Sequence, residues 1–553
     1  MKNSKTINIF NIMAIFAIII FCFAISPITL QNDTFYTIKI GEYILQNGID
    51  MQDPFSWHEG LAYTYPHWGY DVAIYLIYSL FGMTGIYIST CLLASILGLS
   101  MYAINCKLAK NHVISFFITL GSIYMLGDYI AARAQLVTFI FFIFTIYFIE
   151  KFLETKKKRY AAGLIIIPII IANIHAAVWP FYFVLFLPYI GEYVIALITD
   201  IIMERKYQIF MLKRKIIKHN KKGNAEEVLK LEEKLENLKY KIEKAKEKRA
   251  EEKKNSYKLK INRNDNVKWL IIIMLVCVFT GLLTPIGDTP YTYLIKTMQG
   301  NTTQNINEHL PMTLIENEQV MCLLILYIAL LTFTKIKIQL KDLFMIGGLA
   351  FLMFYSRRQS TMFILIGSIT INKMTYEALK IYTKNFAQNL TKRMTTKVGV
   401  FVTIAIILTI SLNFANEKKN DEFINTKDYP VAAADYILEN LDVNNIKIYN
   451  DYNYGSYLIY RDIPVFIDSR ADLYAPEFNT TTGNPDDGKD IFMDFINVSS
   501  IATYYDTMFD NYEMTHILTT KNSKLAMLID KRDDTKYNKI YNDDDFVLYE
   551  IIR

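Results

Sequence analysis

The sequence has few cysteines, little charge and no recognisable nucleotide-binding loop. Only five of its 553 residues are cysteine, and none forms a CxxC pair or a cluster with histidine. This excludes a disulfide framework and a structural zinc site built on cysteine pairs. Charged residues make up 20% of the chain, and no Gly-rich phosphate-binding loop is present. A secreted disulfide scaffold is therefore excluded as a class, and the apolar runs described next exclude a disordered protein and a soluble enzyme.

Hydrophobic residues, in contrast, make up 52% of the chain and are concentrated in long runs. Runs of this length can cross a hydrocarbon core of about 30 Å as helices. The first run has no small-residue cleavage site after it, so it is interpreted as an anchor and not as a removed signal peptide. We predict a polytopic α-helical membrane protein with about 11 transmembrane helices, at 8–28, 85–106, 113–127, 135–151, 160–174, 176–201, 268–284, 319–334, 342–356, 360–372 and 398–414.

The basic residues predict which side of the membrane each loop occupies. Lys2 and Lys5 precede the first span, and the positive-inside rule then places the N-terminus in the cytoplasm. The apolar run 67–81 is interpreted as an interfacial helix, because counting it as a crossing would put the basic run 156–159 outside. Eleven crossings leave the C-terminus outside the cell membrane. The loops 29–68 and 285–318 then share this external face with shorter turns.

Charge divides the chain into four predicted regions. Residues 1–203 and 267–416 carry the transmembrane helices, while 204–266 form a cytoplasmic insert with 21 Lys or Arg against 11 Asp or Glu. The insert is predicted to be a helical hairpin that rests on anionic lipid head groups. Nucleic-acid binding is disfavoured because aromatic residues are nearly absent from it. Residues 417–553, with 14 basic and 26 acidic residues, form the last region.

We predict that this last region is a small C-terminal extracytoplasmic α/β domain. Helical stretches alternate with short strand-like runs, and such alternation is typical of layered α/β domains. The predicted strands are 446–449, 465–467, 516–518 and 546–549. The loop Asp468–Asp472 follows the second of these. An ion pair of Arg470 with Asp468 or Asp472 that fixes the loop is favoured over a ligand-binding role.

Several polar residues of the predicted external face could carry chemistry. Asp33 comes directly after the first span, where partial desolvation would suit a carboxylate to take a proton from an acceptor hydroxyl. Asp53, His58 and His67 follow in the same loop. The alternatives stay open: Asp33 could be a solvated loop residue, and Asp53, before a proline, could form an Asx turn.

Cations and further polar groups appear at other external turns. Arg133 with Gln135, and the pair Arg357 and Arg358, could bind phosphate oxygens. Snorkelling toward lipid head groups, or a pair with Asp128 or Glu308, is the alternative for the arginines. The remaining candidates are His175, for which a structural hydrogen bond to Asn173 is the favoured alternative, and Glu308 itself.

This arrangement resembles the GT-C superfamily of integral-membrane glycosyltransferases, and in particular a set of bacterial polytopic proteins of that type. The likeness covers most of the chain except 204–266. It rests on a carboxylate after the first helix, a long external loop and an aromatic-rich helix. The segments that carry it are Asp33–Ser56, His67–Asp71, Arg133–Gln135, Ala172–His175, Thr284–Gly287, Asn307–Pro311, Ser356–Gln359 and Tyr449–Tyr474.

The resemblance implies a sugar donor linked to polyprenyl phosphate and bound from the membrane, with Asp33 as the catalytic base. Asp53, His58, His67, Arg133, Gln135, His175, Glu308, Arg357 and Arg358 would bind substrate. The expected partners are membrane lipids and an acceptor in the cell envelope, which could be a glycan, a lipid or a protein. No cofactor is firmly implied. A divalent cation stays open, but Asp33 is a single acid and not one of a carboxylate pair, which weakens a metal assignment and favours the base role. A flippase for lipid-linked glycans and a non-catalytic membrane scaffold with an external binding domain are the competing hypotheses.

Overall fold

The computed structural model describes residues 2–203, 206–221, 223–255, 258–383, 385–480, 488–532 and 535–553. Helices dominate this part of the chain. Among the described residues, five helices are long and apolar enough to span a membrane: Ile7–Ile25, Trp68–Ala109, Ala134–Thr155, Ala176–Asp200 and Lys397–Glu417. The prediction of a helical chain with several helices of membrane length is confirmed. Shorter apolar helices occupy His112–Met125, Val267–Leu282 and Glu318–Phe333.

Each of the eleven predicted spans overlaps at least one helix. The helices of the first 417 residues are α1 (Lys2–Ile25), α2 (Asn32–Asn47), α3 (Trp68–Ala109), α4 (His112–Met125), α5 (Ala134–Thr155), α6 (Lys158–Ile174), α7 (Trp179–Val184), α8 (Leu187–Met203), α9 (Lys206–Asn220), α10 (Ala225–Asn255), α11 (Val267–Cys277), α12 (Thr289–Gln299), α13 (Thr302–Asn305), α14 (Glu318–Phe333), α15 (Leu340–Tyr355), α16 (Ser360–Tyr382), α17 (Phe386–Met394) and α18 (Lys397–Glu417). Short 3₁₀ turns lie at Gly127–Tyr129, Ala176–Val178, Val278–Leu282 and Arg357–Gln359.

Local residues set several of these helix boundaries. The Asn111 side chain accepts a hydrogen bond from the Ile114 N–H at the start of α4, and the Thr396 side chain accepts one from the Gly399 N–H at the start of α18. Helix α3 is broken at Gly82, whose φ of 62° and ψ of −156° are non-helical. Glycine tolerates this left-handed φ because it has no Cβ. The run 67–81 is therefore a separate helical piece ahead of the span predicted at 85–106.

The charged insert contains two helices, α9 and α10, at the place where the sequence predicts a hairpin. Residues 204, 205, 222, 256 and 257 of the insert lie outside the described residues. After the insert, strand β1 (Leu259–Lys260) pairs in parallel with β2 (Ile338–Gln339), which leads directly into α15. The insert is thus joined to the helical bundle at the start of α15.

The C-terminal residues form a four-stranded mixed sheet in the order β3-β4-β6-β5. The strands are β3 (Ile448–Tyr449), β4 (His516–Thr520), β5 (Tyr537–Asn542) and β6 (Phe546–Ile551); the helices are α19 (Val431–Asn440), α20 (Tyr452–Tyr460), α21 (Pro476–Asn479), α22 (Ile491–Ser499), α23 (Tyr505–Asn511) and α24 (Lys524–Ile529), with a 3₁₀ turn at Ala471–Tyr474. Strand β4 is parallel to β3 and antiparallel to β6, with Ile517 opposite Tyr549.

One predicted strand does not join this sheet. Residues 465–467 instead approach the loop 29–68, where Val465 bridges Ser56. The Val465 N–H donates to the Phe55 carbonyl at 3.3 Å, and the Trp57 N–H donates to the Val465 carbonyl at 3.2 Å. The backbone groups of this apolar segment are thus satisfied by a distant loop, which the alternation of the sequence could not reveal.

Two hydrophobic clusters follow from this arrangement. The first lies among the apolar helices and includes Phe10, Phe116, Ile143 and Phe363. The second joins the loop that follows α1 to the C-terminal segment and includes Phe35, Tyr65, Val465 and Leu548. Because the second cluster draws residues from both ends of the chain, the C-terminal segment is packed onto the predicted external loop.

Candidate functional site

A cavity of about 1110 Å³ lies where the loop after α1, the ends of the apolar helices and the C-terminal segment meet. Seven of the ten predicted site residues line it: Asp33, His67, Arg133, Gln135, His175, Glu308 and Arg358. These residues are far apart in sequence, and the fold brings them to one place. The other three, Asp53, His58 and Arg357, do not line this cavity.

Helix ends set much of the cavity wall. Asp33 lies in the first turn of α2, and Arg133 is the residue before α5. His67 precedes α3, and Arg358 lies in the short turn before α16. The first turns of helices carry unsatisfied N–H groups and a partial positive charge. The wall is therefore suited to anions even before the arginines are considered.

Arg133 is shared by two carboxylates. Its Nη2 donates to Asp33 Oδ2, and its Nη1 donates to Glu308 Oε1 at 3.1 Å. Burial alone would raise the pKa of Glu308, but the charges of Arg133 and Arg358 outweigh it and lower that pKa. Glu308 is therefore ionised at neutral pH. The ion pair with Glu308, one of the alternatives considered for the arginines from the sequence, is therefore present for Arg133.

Arg358 differs from Arg133 in how its charged group is engaged. The turn that carries it is held by backbone hydrogen bonds: the Arg358 N–H donates to the Glu308 carbonyl at 2.9 Å, and the Arg357 N–H donates to the Leu310 carbonyl at 3.0 Å. None of the described residues gives the Arg358 guanidinium a hydrogen bond or an ion pair. A cation at a cavity wall with all five donors free can bind an anion in a bidentate way.

Two histidines beside Arg358 are held neutral. Burial, followed by the charge of Arg358, lowers the pKa of His175 well below its ordinary value, and the same two causes lower that of His309. His175 is 5% exposed, and its Nδ1 is buried without a hydrogen-bond partner. The hydrogen bond to Asn173 is not found, because the Asn173 amide donates to the carbonyls of Ile169 and Leu283.

His67 belongs to a second polar group on the same wall. Its Nδ1 lies 2.8 Å and 2.9 Å from the two carboxylate oxygens of Asp71. Its Nε2 lies 3.2 Å from the hydroxyl of Tyr36, which also lines the cavity. Tyr36 follows Asp33 by one turn of α2, so the two groups lie on neighbouring positions of one helix face.

Part of the cavity lining comes from the C-terminal segment and includes Asp472. Asp472 accepts hydrogen bonds from the hydroxyls of Tyr293 at 2.6 Å, Thr302 at 3.1 Å and Thr297 at 3.2 Å. These three donors belong to α12 and α13. The carboxylate therefore attaches the C-terminal segment to the loop region that also carries Glu308. Sequence reasoning considered Asp472 only as a partner of Arg470 and missed this contact.

The predicted residues outside the cavity have structural partners. Asp53 Oδ1 accepts from Arg470 Nη1 at 2.7 Å, and Arg470 also donates to both oxygens of Asp468 at 2.7 Å and 2.8 Å. This confirms the favoured interpretation that Arg470 pairs with Asp468. His58 Nε2 lies 2.9 Å from the Phe466 carbonyl, and burial lowers its pKa to about 4.

Arg357, the neighbour of Arg358, pairs with Glu316 at 2.9 Å. The sequence alone does not distinguish Arg357 from Arg358. Which of the two forms an ion pair depends on the direction in which each side chain leaves the turn. The signals that could have found the missed residues are local spacings. Tyr36 lies three residues after Asp33, and Asp71 lies four residues after His67, both typical of contacts within a helix.

The described residues do not offer a metal site. No group of three or more His, Cys, Asp or Glu side chains in the described ranges is arranged to hold a metal ion. Asp33 and Glu308, two carboxylates of the cavity lining, share Arg133 instead. Comparison with known proteins adds no assignment: no family model matches the chain, and no curated protein matches it.

Proposed function

We propose that the chain is a membrane glycosyltransferase of GT-C type that moves a sugar from a polyprenyl-phosphate donor to an acceptor bound in this cavity. The observation that carries the proposal is the composition of one cavity wall. An arginine with no partner among the described residues, a shared carboxylate–arginine cluster and several helix starts lie next to apolar residues at the ends of helices of membrane length.

The donor phosphate would bind at Arg358. Its guanidinium is unpaired among the described residues, while Arg133 is already engaged by Asp33 and Glu308. The neutral imidazole of His175 offers a further hydrogen bond, because its Nδ1 has no partner in the part of the chain that the structure describes. As the bond from sugar to phosphate breaks, the phosphate gains negative charge, which a fixed guanidinium stabilises more than it stabilises the intact donor.

The lipid part of the donor would leave the cavity along its apolar side. Phe351, Tyr355 and Met298 line the cavity and are 70%, 62% and 57% exposed. Exposed apolar side chains beside a polar cavity are typical of a site that binds an amphipathic ligand. They belong to α15 and α12, so the polyprenyl chain would lie against the ends of these helices.

The acceptor hydroxyl would approach Asp33. Oδ2 of this carboxylate is engaged by Arg133, and no described residue donates to Oδ1. Oδ1 is therefore available to accept a hydrogen bond from a hydroxyl. As the catalytic base assigned from the sequence, Asp33 would also take the proton of that hydroxyl. The new glycosidic bond forms from the hydroxyl oxygen while the phosphate leaves with the bonding electron pair.

The proposal includes the predicted topology of the chain in the cell membrane. About eleven crossings, a cytoplasmic N-terminus and a C-terminal extracytoplasmic α/β domain would put the cavity on the external face. A glycan, a lipid or a protein of the envelope would then reach it as acceptor. The basic runs at 107–110, 156–159 and 335–341 support this orientation, because they lie at the helix ends away from the cavity.

The test is a transfer assay with the full-length protein in nanodiscs. Radiolabelled polyprenyl-phosphate hexoses and pentoses would be supplied with envelope extract as acceptor. We expect label transfer by the wild type and a loss of about 10²- to 10³-fold in Arg358→Gln, the usual cost of one stabilising donor. Arg461→Gln, which changes an arginine of the C-terminal segment paired with Asp435, is the matched control and should transfer normally.

Two outcomes would contradict the proposal. Equal transfer by wild type and Arg358→Gln would remove the phosphate site from the account. Movement of labelled lipid across the bilayer without transfer of its sugar would favour a flippase instead.

A further inference from the structure

Asp71, His67 and Tyr36 form a hydrogen-bonded chain whose outer end lies in the cavity. Asp71 has no exposed surface, the His67 side chain is 15% exposed, and Tyr36 is 7% exposed. Asp71 is therefore the most deeply buried of the three residues. His67 and Tyr36 both line the cavity.

The position of Asp71 fixes the proton on the imidazole. An ionised carboxylate can only accept hydrogen bonds. Beside an ionised Asp71, His67 Nδ1, at 2.8 Å and 2.9 Å from the two carboxylate oxygens, therefore carries a proton. In the neutral ring the lone pair then lies on Nε2, and this atom accepts from the Tyr36 hydroxyl at 3.2 Å. The basic nitrogen thus points toward the cavity, and the buried carboxylate would stabilise an imidazolium if one formed.

Packing holds the three residues in this order. His67 and Asp71 are four residues apart at the start of α3, so they occupy one helix face. Helix α2, which carries Tyr36, packs closely on this turn, because a Cβ on Gly41 would collide with the Asp71 carbonyl oxygen. The His67 ring also lies 6.4 Å from that of His175 between ring centroids, beside the proposed phosphate site.

Tyr36 cannot hold a negative charge in this environment. Burial raises its pKa well above the ordinary value, and the charge of Asp33 raises it further. The Tyr36 proton can therefore leave only as the oxygen receives another proton. His67 Nε2 is the acceptor at hydrogen-bond distance.

We propose that Tyr36 and His67 carry away the proton of the acceptor hydroxyl, with Asp71 as the positioning residue for His67. The hydroxyl proton passes to the Tyr36 oxygen as the Tyr36 proton passes to His67 Nε2. The hydroxyl oxygen bonds to the sugar, and the bond from sugar to phosphate breaks with its electrons on the phosphate. Asp33 then orients the hydroxyl and does not keep its proton.

This inference rests on the proposed transferase function and changes one part of it. The alternative is that the three residues only brace α2 against α3. The two accounts differ in what an added small base can do, because external imidazole can replace a missing proton acceptor and cannot replace a packing contact.

The experiment measures sugar transfer by the full-length protein in nanodiscs with the polyprenyl-phosphate donors described above. We expect His67→Ala to lower kcat by about 10²- to 10⁴-fold with little change in KM for the donor, and imidazole to restore part of the loss. Tyr36→Phe removes one hydroxyl from the chain and should lower kcat and change the solvent deuterium isotope effect. His112→Gln, at the start of α4 and outside the cavity, should behave like the wild type.

Several results would overturn the inference while leaving the transferase function in place. These are wild-type kcat in His67→Ala, a loss in His67→Ala that imidazole does not restore, and an unchanged isotope effect in Tyr36→Phe. If His67→Ala does not fold, Tyr36→Phe alone decides between the two accounts. No transfer by folded wild-type protein with any donor would overturn the inference and the proposed function together.

Discussion

Replacing Arg470 by methionine should loosen the attachment of the C-terminal segment to the loop 29–68. The Arg470 side chain is 3% exposed, and those of its partners Asp53 and Asp468 have no exposed surface. Methionine fills much of the same volume, so the main effect is two buried carboxylates without their cation. Removing one partner of a buried ion pair costs about 3–5 kcal/mol. The change should appear in the free energy of local opening at this junction.

Hydrogen exchange of the protein in nanodiscs measures that free energy segment by segment. A loss of this size corresponds to exchange roughly 10²- to 10⁴-fold faster at the junction, since each factor of ten is about 1.4 kcal/mol. Arg461→Met is the control: Arg461 pairs with Asp435 at 2.6 Å, but the two side chains are 24% and 53% exposed, so its loss should cost about 1 kcal/mol or less. Equal effects of the two variants would show that the buried Arg470 ion pairs do not set the stability of this junction.

The same junction should depend on pH. Burial alone would raise the pKa of Asp53, but the charge and hydrogen bond of Arg470 outweigh it and hold the pKa below the ordinary 3.8. A carboxylate with a lowered pKa stabilises the folded state fully above its unfolded pKa. The stabilisation is lost as the pH falls below about 3.8 through the folded value. Opening rates, corrected for intrinsic exchange, should therefore be flat at higher pH and rise below it, and Arg470→Met should abolish the rise.

Three further changes test other contacts. Glu150→Gln leaves Lys341 and Lys373 without the carboxylate that bridges them. Thermal unfolding should show a loss of about 1–3 kcal/mol in the free energy of unfolding. Glu154→Gln, which changes an exposed carboxylate, should have little effect. Gly41→Ala would put a Cβ 2.6 Å from a side chain of α3 and should lower sugar transfer, while Gly121→Ala, with open space around it, should not. Asp472→Asn weakens three hydrogen bonds to hydroxyls and should raise KM more than it lowers kcat.

Much of the helical architecture could be predicted from the sequence because apolar runs of this length form helices in almost any context. The strands of the sheet were harder to predict from the sequence. Strand β5, with the sequence Tyr-Asn-Lys-Ile-Tyr-Asn, has no clear alternation of apolar and polar residues and was missed. Residues 465–467 have a strand-like pattern but pair with a loop more than 400 positions earlier. Pairing over such a distance is decided by tertiary packing, which local patterns do not contain.

The candidate site could be predicted only in part, and the reason is again that tertiary packing is not contained in local patterns. Asp33, Arg133 and Arg358 stand at helix starts, and unusual charges at helix ends are visible in a sequence. Asp53 and His58 look equally suited to chemistry, yet they are buried in the junction with the C-terminal segment. Only the packing of the two ends of the chain separates these cases.

The most direct test of the central claim compares wild type with Asp33→Asn in the nanodisc transfer assay. Asparagine keeps the size of the side chain and removes the charge that pairs with Arg133 and would bind the acceptor hydroxyl. We expect label transfer by the wild type and a loss of about 10²- to 10⁴-fold in the variant, with both proteins equally folded. Equal transfer by the two would contradict a role for Asp33, and no transfer by the folded wild type would contradict the glycosyltransferase assignment.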